Sequence, residues 1–409
     1  MKNLKFLKLV FPVVMLGFLV SCSDDDDNTS NPVPPAPTTY TFEREIDGAM
    51  VSTVSYGGQT TRLQQADELY SALNSESSTE AALDLMFGGD GTASAGFAND
   101  LLNGTSKIIR SKTSAKANTA SNLAVFDGWL AEFANDVAPN LGGTASDGVA
   151  GMFDGYQLNA AGQELDQLFF KSLIGALTLD QIVNNYITPD QLDSGTRRDD
   201  NTAGVLEEGK PYTTMEHKWD EGFGYLYGQT SDIEANFGLP GSGESGNLLM
   251  KYFNKVNDPA QGGEIAQDSQ IAETVYNAFI AGRHAITVGD YDARDAAAAV
   301  IKTELSKVAG MYAKYYLNDY LLKAGSDQIA KAHHSLSEAY GFIFSLQFTN
   351  DGGDMPYMDR ATIMYALTGE GAPPTGGGAY FADFHNMQDV YITDPQLGMI
   401  ALIDAAFGF

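Results

Sequence analysis

The sequence predicts an all-α protein, a duplicated helical bundle with a short N-terminal β arm. Three observations predict it. From Arg62 onward apolar residues recur at helical spacing, with almost no two-residue alternation. Gly- and Pro-containing breaks divide that pattern into helix-length pieces. One motif, His-x-x-x-Glu-small-aromatic-Gly-aromatic, occurs twice: His217 to Tyr225 and His334 to Phe342. The chain holds only five histidines, so two at matched positions need an explanation.

On a helix, residues i, i+4, i+7 and i+11 share a face. His217, Glu221, Gly224 and Gly228 therefore form one stripe, and His334, Glu338, Gly341 and Ser345 form its copy. Each stripe is a His-Glu pair followed by small residues that admit a neighbouring helix.

The N-terminus reads as an export signal. Lys2, Lys5 and Lys8 precede an apolar run, Leu9 to Val20, too short for a membrane span. It ends on Leu19-Val20-Ser21-Cys22, which matches a lipoprotein signal cut before the cysteine. Cys22 is the only cysteine, has no partner for an internal disulfide, and becomes the expected lipidation site. Residues 1–21 are the expected signal peptide. Residues 22–40 are an acidic, Pro-rich tether, with Asp24 to Asp27 resembling a surface-export signal of Bacteroidota-type lipoproteins. The expected location is the outer membrane, facing either the cell surface or the periplasm.

The whole chain carries −29, and removal of residues 1–21, with three lysines and no acid, leaves −32. Such a field repels nucleic acid and anionic lipid and favours cationic ligands, metal ions included. About 370 residues follow the tether, enough for two bundle repeats, placed at about 62–260 and 261–409.

Residues 40–61 have β character. Helices are expected over 62–73, 81–87, 117–135, 156–187, 213–228, 264–287, 293–323, 327–348 and 359–368, with a last one after Pro395. Thr213 and Glu216 have capping-box spacing, and Asp327 is the expected cap of the second His-Glu helix. Arg283 and His284 read as helix-end residues suited to the dipole. Glu164, Gln167 and Lys171 form a polar stripe that reads as a solvated face, the alternative being that Glu164 points into a polar site within the bundle. Gly241 to Gly246 matches G-x-G-x-x-G, but no strand precedes it, so it reads as an interhelix loop.

A His-Glu pair at i, i+4 can ligate one cation, and two facing pairs would suit iron, zinc or manganese. His217, Glu221, His334 and Glu338 are the expected metal ligands, with Glu164 a fifth candidate. The alternative is architectural: a buried His-Glu hydrogen bond used twice as a strut. Haem ligation through His217 or His334 stays open, without the C-x-x-C-H that attaches haem covalently. Neither H-E-x-x-H nor G-x-S-x-G is present, and no catalytic residue is assigned.

The His-Glu helices, the duplication and the lipoprotein signal together resemble imelysin-like proteins of bacterial envelopes. The segment Gly162 to Gln167, followed by Lys171 and Gly175-Ala176, is similar to an imelysin-related branch of Bacteroidota lipoproteins. The resemblance implies an all-helical, two-bundle fold and a link to iron or other metal acquisition, and some members of that family are named peptidases. The family's Gly-x-His-x-x-Glu is not matched in either copy. Met215 stands two before His217 with Asp220 at i+3, and Ala332 and Ser337 stand in those places in the second copy. The expected function is a lipoprotein that binds a metal ion or metal-containing ligand. The alternatives are a metallopeptidase and a non-catalytic module for a glycan or partner protein. The oligomeric state is left open.

Overall fold

The computed structural model describes residues 35–116, 118–230, 248–256, 270–371 and 380–409. The signal peptide, Cys22, the Gly241–Gly246 loop, the 260/261 boundary and most of the Gly/Pro loop after Gly371 lie outside them. Among the described residues no helix is long and apolar enough to cross a membrane.

The chain opens with a hairpin of β1 (Glu43–Ile46) and β2 (Ala49–Ser52), paired antiparallel with Ile46 opposite Ala49. Its turn is Asp47-Gly48, both at positive φ (51° and 84°), the two-residue geometry that matches the twist of antiparallel strands. Helices α1 (Gly57–Ala72), α2 (Glu80–Gly88) and α3 (Thr119–Glu132) follow.

A second hairpin, β3 (Gly151–Phe153) and β4 (Tyr156–Leu158), replaces the start of the helix expected from residue 156. It also turns on an Asp-Gly pair, Asp154 and Gly155, at φ 48° and 93°. The chain then passes Gly162 (φ 79°) before α4 (Leu165–Leu173) begins. Beyond α4 the helix loosens twice into π turns, Ile174–Leu179 and Ile182–Tyr186. Short α5 (Pro189–Leu192) and α6 (Arg197–Thr202) lead to α7 (Thr214–Tyr227), the first His-Glu helix. Its predicted capping box is present: the Glu216 backbone N–H donates to Thr213 Oγ1 and the Thr213 N–H donates to the Glu216 carboxylate.

The later helices are α8 (Leu249–Lys255), α9 (Ile271–Val288), α10 (Tyr291–Ala324) and α11 (Ile329–Ser345), followed by α12 (Arg360–Thr368), α13 (Val390–Thr393) and α14 (Met399–Phe407). The second His-Glu helix, α11, starts after Gln328. Asp327 adopts φ 56° and does not cap it.

The architecture is an all-α duplicated bundle with a short β arm. In one half α7 packs on α1, α9 and the 182–186 π turn; in the other α9, α10 and α11 pack in sequence and α4 lies against α11. Residues 36–409 form one compact unit, so the halves interlock: α4, expected in the first repeat, pairs with the motif helix of the second. Tyr40, expected at the end of the tether, is buried and stacks on Phe223 with centroids 3.6 Å apart.

Both motif stripes are close-packing faces. A Cβ on Gly224 would sit 2.3 Å from Tyr56 Cβ at the start of α1. A Cβ on Gly341 would sit 2.4 Å from Lys171 Cβ and 3.0 Å from the Ser172 nitrogen of α4. Ser345 continues the second stripe, donating to the Lys171 carbonyl and accepting the Gly175 N–H. The small residues are there because helix backbones approach where they stand.

Candidate functional site

The two His-Glu pairs do not converge on one point. Glu221 is held by its own surroundings: Gln59 Nε2 donates to it at 3.0 Å and Lys218 Nζ pairs with it at 2.5 Å. His217 stacks on Tyr212, with centroids 4.8 Å apart, and its Nδ1 is buried without a partner. Burial lowers the His217 pKa, although the Glu221 charge acts against that.

One position before each member of this pair, about 100° around the helix, lies the larger electrostatic feature of α7. Arg283, fully buried, donates from Nη1 to Glu216 and from Nε to Asp220, at 3.0 and 3.1 Å. Its Nη2 donates to Thr53 Oγ1, and its guanidinium lies over the Phe42 ring. Arg44 pairs with Glu216, Tyr40 OH donates to Asp220 at 2.7 Å, and the Ser55 N–H donates to the other Asp220 oxygen. Arg283 is therefore not a helix-end residue answering the dipole. It bolts the β arm, α7 and α9 together.

The second copy is built differently. His334 Nδ1 lies 2.7 Å from Glu164 Oε2, and its Nε2 lies 3.4 Å from Glu338 Oε2. Glu164 precedes α4 and is 2% exposed, so the expected solvated face of Glu164, Gln167 and Lys171 is instead buried against α11 and the α1 end. Tertiary packing, not the local pattern, decides this: α4 is covered on both sides. Lys171 Nζ pairs with Glu338 at 3.3 Å and also lies over the Tyr252 ring, so the Glu338 charge is already compensated.

The charge of Glu164 is less fully met. Its Oε1 is buried with no hydrogen-bond partner, and so is Asp166 Oδ1 two residues on. The other Asp166 oxygen accepts from Asn74 and Gln167. Glu164, Asp166 and His334 line one pocket of about 260 Å3, walled by Tyr70, Tyr156 and Gln157. The Tyr156 ring lies 5.0 Å from the imidazole. Asp166 carried no sequence signal beyond its place in the Gly162–Gln167 segment, and its burial comes from contacts with residues 74 and 157 that no local pattern announces.

Burial pushes the Glu164 carboxyl up to about 7, with the His334 hydrogen bond and charge acting against that shift. Burial alone would lower His334, but the Glu164 hydrogen bond and charge, with Glu338, outweigh it and raise the pKa. Hydrogen-bonded to one another, the two titrate as a coupled pair. A folded-state pKa above the ordinary carboxyl value of about 4.3 means that the native state keeps a proton the unfolded chain releases. The stabilisation is full below that value and is lost as pH rises through about 7. His334, also raised, has the same sign. Glu164→Gln removes its own contribution and the larger part of that at His334, where the Glu338 charge remains. Thermal melts of the metal-free chain from pH 5 to pH 8 should fall less steeply for the variant than for wild type; parallel curves would contradict the assignment.

His333, next to His334, points elsewhere: its Nδ1 bonds the Gly162 carbonyl and its ring sits 5.0 Å from that of His385. Among the described residues no three His, Cys, Asp or Glu side chains are arranged as a ready-made metal cage.

Fold and site together define an all-α bundle protein with an acid–imidazole pocket formed by α1, the second hairpin, the start of α4 and α11. A family model described as a domain of unknown function, DUF4856, matches residues 37–369, and the chain belongs to that family. No curated protein and no solved structure matches it.

Proposed function

We propose that this chain is an envelope-anchored lipoprotein, held through lipidated Cys22, whose helical domain captures a metal cation or metal-bearing ligand at the Glu164–Asp166–His334 pocket. One observation carries the reading: two buried carboxylates, each with one oxygen that no hydrogen bond reaches, line the same pocket, beside an imidazole. A buried carboxylate oxygen with no donor is costly unless a cation or proton serves it. The imidazole of His334, drawn between Glu164 and Glu338, holds the kind of positive charge a metal ion would supply there.

His334 has a carboxylate at each ring nitrogen, so ligation exchanges one of those contacts for the ion and releases a proton. Affinity should therefore rise between pH 6 and pH 8. The resemblance to imelysin-like proteins and the chain's strong negative charge support the same reading, with uptake of iron or another metal as its purpose. The metallopeptidase alternative would require an open metal position and a general base, and no observation here favours it over binding.

Calorimetric titration of the full chain in mild detergent with zinc, manganese and ferrous ions tests the proposal. Wild type should bind one of them with proton release, and Glu164→Gln and Asp166→Asn should each weaken binding by about tenfold, equivalent to about 1.4 kcal/mol. Equal affinity in wild type and both variants would refute it.

A further inference from the structure

A second cavity, of about 560 Å3, plays no part in the metal reading. Asp180, in its wall, lies 16 residues beyond Glu164 in the chain. That is roughly 24 Å at about 1.5 Å per helical residue. Asp180 falls between the two π turns, Ile174–Leu179 and Ile182–Tyr186. Such turns break the regular helical ladder and re-aim side chains, and they recur at functional positions.

The wall carries planar polar groups among apolar surface. Asp180, Asn184, Gln347, Asn350, Lys116 and Arg360 face it, and none of the residues that form it is aromatic. These groups are fixed by one another. Asn350 Nδ2 donates to Asn184 Oδ1 at 3.0 Å, and Asn184 Nδ2 donates to the Phe348 carbonyl at 2.9 Å. Asn122 Nδ2 donates to Gln347 Oε1, and Arg360 Nε donates to Asn122 Oδ1. Asp180 and Asn350 are both buried, so the floor is held in place before any ligand arrives.

Some of the charges are met from within the protein. Lys302 pairs with Asp354 at 2.7 Å, and Asp359 caps α12 through Thr362. Asp180 accepts the Lys116 N–H and faces the Asn184 amide. What the wall offers is donors and acceptors side by side on carboxamide, carboxylate and guanidinium planes, the complement of adjacent hydroxyl groups, each of which both donates and accepts.

We infer that this cavity binds a polyhydroxylated ligand, a mono- or disaccharide unit, gripped by its hydroxyl edges rather than by stacking. The volume lies within the range of small-molecule sites. A site that hydrogen-bonds a hydroxyl discriminates strongly against an analogue lacking it, because its own polar groups are then left unpaired.

The test is saturation-transfer NMR on the full chain in mild detergent. The probes are glucose, galactose, mannose, N-acetylglucosamine and their disaccharides, with serine and glutamine as zwitterionic controls. One sugar should give saturable binding, and its deoxy analogues should bind at least about tenfold more weakly. Asp180→Asn and Arg360→Met should each weaken binding by about tenfold. Arg360 opens α12 and is half-buried, so its variant carries the test if Asp180→Asn lowers the melting temperature. Binding by no sugar, preference for a zwitterion, or binding that survives in every folded variant would overturn the inference. Metal affinity at Glu164 should be unchanged in Arg360→Met, so the two sites fail or succeed separately.

Discussion

Replacing Arg283 with alanine is expected to cost about 3–5 kcal/mol of folding stability, the range for removing one partner of a buried ion pair. The guanidinium is fully buried and serves two acids at once, Glu216 and Asp220. Arg44 still reaches Glu216 in the variant, so Asp220 carries most of the loss. Burial already pushes the Asp220 carboxyl up to about 6, while Arg283 and Tyr40 act against that shift. Without Arg283 the carboxyl is left with Tyr40 OH and the Ser55 N–H, and it takes up a proton instead. The β arm loses Thr53 and Phe42 as contacts of the same guanidinium. Urea denaturation should show the loss, and limited proteolysis should show faster cleavage within residues 40–56. A change under about 1 kcal/mol would mean that the network is solvated rather than structural.

Gly341→Leu is expected to cost at least about 3 kcal/mol, the upper end of overpacking penalties. The obstruction is backbone as well as side chain: a Cβ there meets Ser172 N at 3.0 Å and Leu168 O at 3.1 Å. No rotamer change removes it, so α4 must move away from α11. That movement draws Lys171 from Glu338 and Glu164 from His334, so cation binding should fall together with stability. Gly224→Leu is the matched control. Its Cβ would strike Tyr56 Cβ at 2.3 Å, destabilising the fold through α1 and the arm while leaving the second-copy pocket in place. Melting temperature and metal affinity should therefore move together for residue 341 and separate for residue 224. Equal loss of affinity in both variants would contradict the asymmetry.

The helical periodicity and the breaks between helices were legible in the sequence because both are local. The Thr213 cap was legible for the same reason. So was the small-residue stripe, since i, i+4, i+7 spacing fixes a face whatever that face meets. The hairpin at Gly151–Leu158 had a readable signal, Asp154-Gly155 between Phe153 and Tyr156, masked by apolar residues that also fit a helix. The partners of each stripe were not readable. Glu164 reaches His334 across 170 residues, and Arg283 reaches Asp220 across 63, through packing that no short window encodes. The motif's two copies share a face and a packing role, but their surroundings differ. Lys218 and Gln59 close the first pair, whereas in the second a buried acid with one unbonded oxygen lines a pocket. Duplication thus preserved the strut, and the proposed ligand chemistry falls on one copy.

That divergence is tested most directly by anomalous diffraction at the zinc edge from crystals of the chain soaked in zinc. A peak is expected between Glu164 and His334 and none at His217–Glu221. A peak bridging His217 and Glu221, or equal peaks at both copies, would contradict it.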